Sequence, residues 1–183
     1  MAILSRHSAV VLLALMYVGL DRPSASAQRA APISEPQAKA ALLYNLPAFV
    51  EWPADPGAGV VIGIVGAPDV ADALTSLIKR ETPGRIDLRP LSEHDDPTGV
   101  HVVFVSSDRD VASAALLRHA ADRPILTVGD AEGFTRRGGI IGVYFEGTRI
   151  RFEISMRNAA RAHLRISSKL LSLATVVDKG AND

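Results

Sequence analysis

Residues 60–69 read VVIGIVGAPD, and this stretch decides the fold. Its first six residues are apolar apart from one glycine and mostly β-branched, which is typical of a strand covered on both faces of a parallel sheet. Glycine at 66 and proline at 68 then turn the chain, and Val70, Leu74 and Ile78 recur at helical spacing behind the turn. The stretch therefore predicts a strand followed by a helix, the first half of a β-α-β unit.

Two more apolar runs extend this pattern along the chain. Residues 100–105 and 124–128 predict core strands, and between them Asp108 is a suitable cap for a helix that ends near residue 121. Residues 85–91 alternate well enough for a short strand with one buried face. The alternation of strands and helices predicts a mainly parallel sheet flanked by helices.

Helical spacing also begins near Glu35, where Ser34 is a good N-cap. Pro47 predicts a kink in this first helix, because proline lacks an N–H and its ring clashes with the preceding turn.

The C-terminal third predicts a hairpin and one long helix. Residues 140–145 and 148–154 are two strands joined tightly around Glu146-Gly147. Residues 156–177 carry apolar side chains at three- and four-residue steps, which predicts a final helix. The sequence therefore predicts a single α/β domain over residues 35–178, with an antiparallel hairpin and a final helix at its end. Residues 28–34 are expected to be a flexible lead-in and residues 179–183 a disordered tail.

The first 27 residues predict a cleavable signal peptide. Arg6 precedes an apolar run over residues 9–20, and the small residues that follow end in an A-x-A site, so cleavage is expected after Ala27. An uncleaved anchor is disfavoured, because the run is shorter than the about 20 apolar residues of an ordinary membrane helix. The mature chain is expected in the periplasm, without direct membrane insertion after cleavage.

The composition excludes several function classes. Basic and acidic residues number 20 each, and removal of residues 1–27 takes away two arginines and one aspartate, which leaves a formal net charge of −1. Nucleic-acid binders carry a basic excess, so no nucleic-acid partner is expected. The sequence has no cysteine, which excludes thiol catalysis, thiolate metal sites and a lipid on an N-terminal cysteine.

No catalytic motif occurs along the chain. Nucleophile-elbow, H-E-x-x-H and Walker sequences are absent, and the histidines lack metal-type spacing. His101 falls in an apolar strand, where a hydrogen-bonded core histidine is the commoner explanation. The chain is therefore expected not to be an enzyme and to use no cofactor or metal. The turn Gly63-Ile64-Val65-Gly66 could present N–H groups to an anion, which keeps open an alternative role as a periplasmic small-molecule sensor or carrier.

Arg157, Arg161 and Arg165 recur at four-residue steps on the predicted final helix. They are either a docking strip for an acidic partner or a solvated face whose long side chains cover neighbouring apolar surface. The sequence leaves both interpretations open.

Three segments resemble the YfiR-like family of periplasmic proteins. Residues 44–53, YNLPAFVEWP, resemble its F-x-K-F-V-E-W-P segment. Residues 138–141, GGII, and 149–155, RIRFEIS, are similar to its G-G-M-I and R-F-E-I-N segments, and residues 166–174, ISSKLLSLA, to its I-S-S-K-L-L-x-L-A tail. The matching residues, structural or partner-binding in role, are Phe49, Glu51, Trp52, Pro53, Gly138, Gly139, Arg151, Phe152, Glu153, Ser167, Leu170 and Leu171.

The resemblance implies a regulator rather than an enzyme. It implies a soluble periplasmic homodimer that binds the periplasmic domain of an inner-membrane signalling protein, a diguanylate cyclase or a histidine kinase. For a cyclase, it implies repression of cyclic di-GMP synthesis, which is allostery across a membrane. This chain departs from the family pattern at Pro47, at Ser155 and in its lack of cysteines, so disulfide-based redox control is not expected. Trp52 is expected to be buried against the final helix or the sheet.

Overall fold

The computed structural model describes residues 33–54, 56–57, 59–81 and 84–178. The predicted signal peptide, residues 28–32 of the predicted lead-in and residues 179–183 lie outside these ranges. Of the helices in these ranges, none has the length and apolarity that a membrane crossing requires. The helices are α1 (Glu35–Asn45), α2 (Pro68–Glu81), α3 (Ala114–Ala120), α4 (Met156–Arg161) and α5 (Ser168–Leu171). The strands are β1 (Val50–Glu51), β2 (Val60–Val65), β3 (Ile86–Leu91), β4 (Val102–Val105), β5 (Leu126–Gly129), β6 (Ile141–Glu146), β7 (Arg149–Ser155), β8 (Arg165–Ile166) and β9 (Thr175–Val177).

A central sheet has the strand order β3-β2-β4-β5-β6-β7-β9 in the part of the chain that the structure describes. The strands from β3 to β6 in this order are parallel to one another. β7 is antiparallel to β6, and β9 is parallel to β7. The structure therefore confirms the mainly parallel sheet of a single α/β domain and its antiparallel C-terminal hairpin. β1 and β8 form a separate two-stranded sheet.

Two apolar clusters cover the two faces of the central sheet. The larger contains Ile62 and Phe104 from the strands and Leu43 from α1, together with side chains of α2 and α4. The smaller contains Val103, side chains of α3 and Phe134. Alternate residues of a strand point to opposite faces, so a strand covered on both sides has to be apolar throughout. This requirement explains the continuous apolar runs in β2 and β4.

The first helix begins where the sequence predicts and ends earlier. The Ser34 hydroxyl accepts a hydrogen bond from the Gln37 N–H, and the Gln37 side chain accepts one from the Ser34 N–H at 3.0 Å. The expected kink at Pro47 is wrong: α1 stops at Asn45, and Pro47 lies in the first turn of a new 3₁₀ helix, Leu46–Phe49. Proline is tolerated there because the first N–H groups of a helical turn have no partner within it.

The helix after β4 also differs from its prediction. Asp108 does not cap it, because Asp108 lies in a separate 3₁₀ turn, Ser107–Arg109, and α3 begins only at Ala114.

The predicted final helix is wrong. Residues 156–177 form α4, β8, α5 and β9 in succession. α4 ends before His163, which adopts a left-handed φ of 56°. Leu164 and Ile166 are buried in the alternating manner of a strand, while Ser167 caps α5 by accepting from the Leu170 N–H. Several short elements that each bury one side thus produce the apolar steps that sequence reasoning attributed to a single helix.

Candidate partner-binding surface

Strand pairing brings together the first and third of the three family-like segments, residues 44–53 and 166–174, which we call the first and third motifs. β1 and β8 are antiparallel, so that Val50 is opposite Ile166 and Glu51 is opposite Arg165. The N–H of Ser167, the residue after β8, donates to the Phe49 carbonyl at 2.9 Å. Val50 and Ile166 are buried, whereas Glu51 and Arg165 are exposed. Two segments that are distant in the sequence therefore form one surface.

A groove of about 720 Å³ lies beside this pair of strands, and we call it the motif groove. Leu164 and Ile166 are its buried residues, and Arg165 is 86% exposed. Apolar contact area with arginine at its margin is typical of protein interfaces. The lining residues are Glu51, Trp52, Pro53, Met156, Ala160, His163, Leu164, Arg165 and Ile166.

Trp52 lies between the motif groove and a second cleft of about 470 Å³, which we call the histidine cleft. Its indole is half-buried, and so less covered than predicted, although it packs against the larger apolar cluster. The ring meets His101 edge to face, with the ring centroids 6.4 Å apart. The indole Nε1 is buried, and the described part of the chain offers it no hydrogen-bond acceptor. The histidine cleft is lined by Trp52, Ala54, Pro56, Thr98, Gly99, Val100, His101, Arg123, Pro124 and Ile125.

His101 is hydrogen-bonded as the sequence predicted, but it precedes β4 and is half-buried at a cleft, so it is not a core residue. Its Nδ1 accepts a hydrogen bond from the Val61 N–H at 3.0 Å, so the neutral ring carries its proton on Nε2. Burial lowers the pKa of His101 below 6.5. The bond joins β2 to the residue before β4, and His101 is confirmed in a structural role. Across residues 33–178, as far as they are described, no three histidine or acidic side chains gather in a way that could hold a metal ion.

Gly138 and Gly139, in the second family-like segment (residues 138–141 and 149–155, the second motif), let the backbone pass close to the ring of Phe134. Gly138 has a left-handed φ of 106° and ends the 3₁₀ turn Thr135–Arg137. A Cβ at Gly139 would overlap the ring of Phe134, which is fully buried. The Asn158 amide donates to the Gly139 carbonyl at 2.7 Å and holds this backbone in place. The pair therefore serves packing.

The remaining residues of the second motif lie on β7, where Phe152 and Glu153 hold the fold and Arg151 is exposed. Phe152 belongs to the larger apolar cluster. Glu153 accepts a hydrogen bond from the Thr135 hydroxyl, and Arg151 pairs with Glu146 across the hairpin at 3.1 Å.

The third motif also contributes structure. Ser167 caps α5, Leu170 is buried in the larger cluster, and Leu171 is half-buried against it.

The three arginines do not form a strip. Arg157 and Arg161 lie on α4 and Arg165 on β8. Each pairs with a different carboxylate: Arg157 with Asp178 at 3.7 Å, Arg161 with Asp122 at 2.8 Å and Arg165 with Glu51 at 3.6 Å. Of the three, only Arg165 lines the motif groove. The interpretation as a single helix face is therefore wrong, and it failed because the helix on which it rested ends at Arg161.

The turn that follows β2 is filled by side chains. Gly66 has a left-handed φ of 75°, and a Cβ there would meet the side chains of Ser106 and Arg109. At the end of β5, Asp130 accepts hydrogen bonds from the Ser107 N–H at 2.6 Å and from Lys39 Nζ at 2.5 Å. A carboxylate therefore accepts from the Ser107 N–H and the Lys39 ammonium at this edge of the sheet.

Four residues of the motif groove escaped sequence reasoning: Met156, Ala160, His163 and Leu164. All four fall on the apolar stripe of residues 156–177 and were assigned to the core of a helix that does not exist. A histidine on that stripe was the one signal that could have raised doubt.

The profile of the YfiR/HmsC-like family matches residues 36–175. Among solved structures, a conserved domain protein from Vibrio cholerae O1 biovar El Tor is similar, with a TM-score of 0.54 and 17% sequence identity. The similarity covers 78% of this chain and 60% of that one, and at this identity it shows the fold alone. No curated protein matches the sequence. Since the family profile spans both segments of the motif groove and nearly all described residues, the chain belongs to the YfiR/HmsC-like family.

Proposed function

We propose that this chain is a periplasmic protein-binding regulator that represses a membrane diguanylate cyclase by binding the cyclase's periplasmic domain. The YfiR/HmsC-like family is known in the context of periplasmic regulation. The proposal includes export with cleavage after Ala27 and a homodimeric active state.

The motif groove is the observation that carries this proposal. Two family segments meet there through the pairing of β1 with β8, whereas Phe152 and Leu170 of the other motif residues are buried in the larger cluster. The groove combines buried aliphatic residues with a tryptophan and a highly exposed arginine. Tryptophan and arginine are the residue types that most often carry the binding energy of an interface.

Repression requires that the regulator prefers one arrangement of the cyclase. A protein that binds both arrangements equally well shifts nothing, and a swing from one extreme of the population to the other needs about 5.5 kcal/mol of differential affinity. The groove must therefore fit the inactive arrangement better than the active one.

Charge reversal at the rim of the groove tests the proposal. Arg165→Glu places a second carboxylate opposite Glu51 and should abolish repression, so that intracellular cyclic di-GMP rises to the level of the deletion strain. Arg80→Glu is the matched control, because Arg80 is also exposed but lies at the end of α2 and outside the groove. Both variants should keep the circular dichroism spectrum and melting temperature of the parent.

The same experiment shows which of the three arginines repression requires. Reversal of Arg157 and Arg161, which lie on α4 and do not line the groove, should leave repression intact. Normal repression by a folded Arg165→Glu variant would refute the groove as the partner surface.

A further inference from the structure

Trp52 carries a polar group that has no hydrogen-bond partner among the described residues. Its indole Nε1 is buried, and no acceptor among the described residues lies within hydrogen-bonding distance. Buried donors are nearly always paired in native proteins, because an unpaired one keeps the cost of losing its hydration. A state in which this N–H donates a hydrogen bond to an oxygen recovers that desolvation cost.

Two open clefts adjoin the Trp52 side chain and leave room for it to change its orientation. Trp52 is the one described residue that lines both the motif groove and the histidine cleft. Pro53 and Ala54, which follow it, are exposed, and the strand before it is only two residues long. The ring is held by its edge-to-face contact with His101 and by its packing on the larger cluster.

We propose that Trp52 is the anchor of the partner interface: when the cyclase domain binds, the indole turns into the motif groove and donates a hydrogen bond to an oxygen of the partner. This inference rests on the proposed function and names the group that recognises the partner. The occupant is a segment of the cyclase's periplasmic domain that presents a carbonyl or carboxylate oxygen beside an apolar side chain.

The charges at the rim indicate a second feature of that segment. Arg165 is 86% exposed, and its contact with Glu51, which is itself 71% exposed, is long at 3.6 Å. Such an exposed pair contributes little to stability, so Arg165 is available to an incoming carboxylate. Beneath it, Leu164 and Ile166 are buried and provide an apolar base. An acidic residue next to an apolar one fits this arrangement.

Removal of the N–H with retention of an aromatic ring tests the inference. Trp52→Phe should lower the unfolding free energy of the isolated protein only by the packing that the smaller ring loses on the larger cluster and on His101, because no hydrogen bond to a described residue is removed. The same substitution should weaken binding of the cyclase's periplasmic domain at least tenfold in titration calorimetry. Tyr144→Phe is the control: it removes one exposed donor on β6, outside the groove, and should leave affinity unchanged.

The indole N–H can also be followed directly, because Trp52 is the only tryptophan in the chain. A ¹H–¹⁵N spectrum therefore contains one indole cross-peak. Addition of the purified periplasmic domains of the bacterium's membrane diguanylate cyclases, one at a time, should move this peak downfield with the one domain that binds.

The outcomes separate the inference from the function on which it rests. If a domain binds the wild-type protein but the indole peak stays in place, or if Trp52→Phe binds equally well, the anchor is refuted and the regulator stands. If no cyclase domain binds the wild-type protein, the proposed function falls and the anchor falls with it.

Discussion

Gly139 illustrates how one residue of a family segment acts through packing. Its backbone passes so close to the Phe134 ring that a Cβ has no room, and the ring has no exposed side to which it can retreat. Overfilling a packed core typically costs about 1–3 kcal/mol. Gly139→Ala should therefore lower the free energy of unfolding by about that amount in urea titrations.

Gly59→Ala is the matched control for this substitution. A Cβ at Gly59 meets nothing within 4 Å, so the variant should unfold at the parent's urea concentration. Equal stability of both variants would show that Phe134 moves aside freely.

His101 links stability to pH. Burial lowers the pKa of the folded state below the 6.5 of an unfolded chain, and protonation of Nδ1 would also break the bond from the Val61 N–H. Because the unfolded chain then binds the proton more readily, this contribution is fully present above pH 6.5 and is lost as pH falls through the folded pKa. Unfolding free energy measured from pH 7.5 to 5 should fall more steeply in the parent than in His101→Asn.

The asparagine variant is chosen because its side-chain oxygen can still accept from the Val61 N–H, although it does not titrate. Parallel pH profiles for the two proteins would mean that His101 has the same pKa folded and unfolded.

At the scale of residues, the sequence identified the right positions but not their partners. The resemblance marked Gly138 and Gly139, yet no local pattern indicates that the ring of Phe134 fills the space beside them. The lack of an acceptor for the Trp52 indole among the described residues was equally invisible, because hydrogen-bond satisfaction depends on which elements meet in space. The hydrogen bond of His101 was predictable, since a polar ring next to apolar strand residues has few alternatives to a backbone partner.

Among the elements, Ser155 has a larger role than its family position suggests. It is fully buried, accepts from the Asn158 N–H as the cap of α4 and donates to Asp178 at 3.1 Å. Loss of a cap typically costs about 0.5–2 kcal/mol. Ser155→Ala should lower the free energy of unfolding by about 1–2 kcal/mol, by the same estimate, while Ser168→Ala, exposed at the start of α5, should change it little.

A denaturation curve in which Ser155→Ala and Ser168→Ala coincide would show that α4 needs no cap. Loss of stability in Ser168→Ala alone would contradict the assignment of a stabilising cap to Ser155.

Elements with a single continuous environment were predicted well. β2, α2 and the hairpin each bury one regular face or both faces, so their periodicity follows from the fold. The segment 156–177 was not, because it passes through two short helices and two short strands whose buried residues fall by chance at helical steps. Periodicity reports which positions are buried, and it does not report against which element.

The whole molecule shows the same limit. The parallel sheet followed from three apolar runs separated by helices, whereas the motif groove depends on the pairing of two-residue strands from opposite ends of the domain. Strands of only two residues leave almost no pattern in the sequence. The family resemblance marked both segments and could not show that they touch.

Repression from the periplasm is tested most directly by intracellular cyclic di-GMP in a clean deletion strain. We expect the nucleotide to rise on deletion and to return to its original level when the full chain is supplied. A version without residues 1–27 should be produced in equal amount and fail to lower it, because it never meets the periplasmic domain. Unchanged cyclic di-GMP in the deletion, with the membrane cyclases expressed, would contradict the proposed repression, and full complementation by the version without residues 1–27 would contradict its periplasmic site of action.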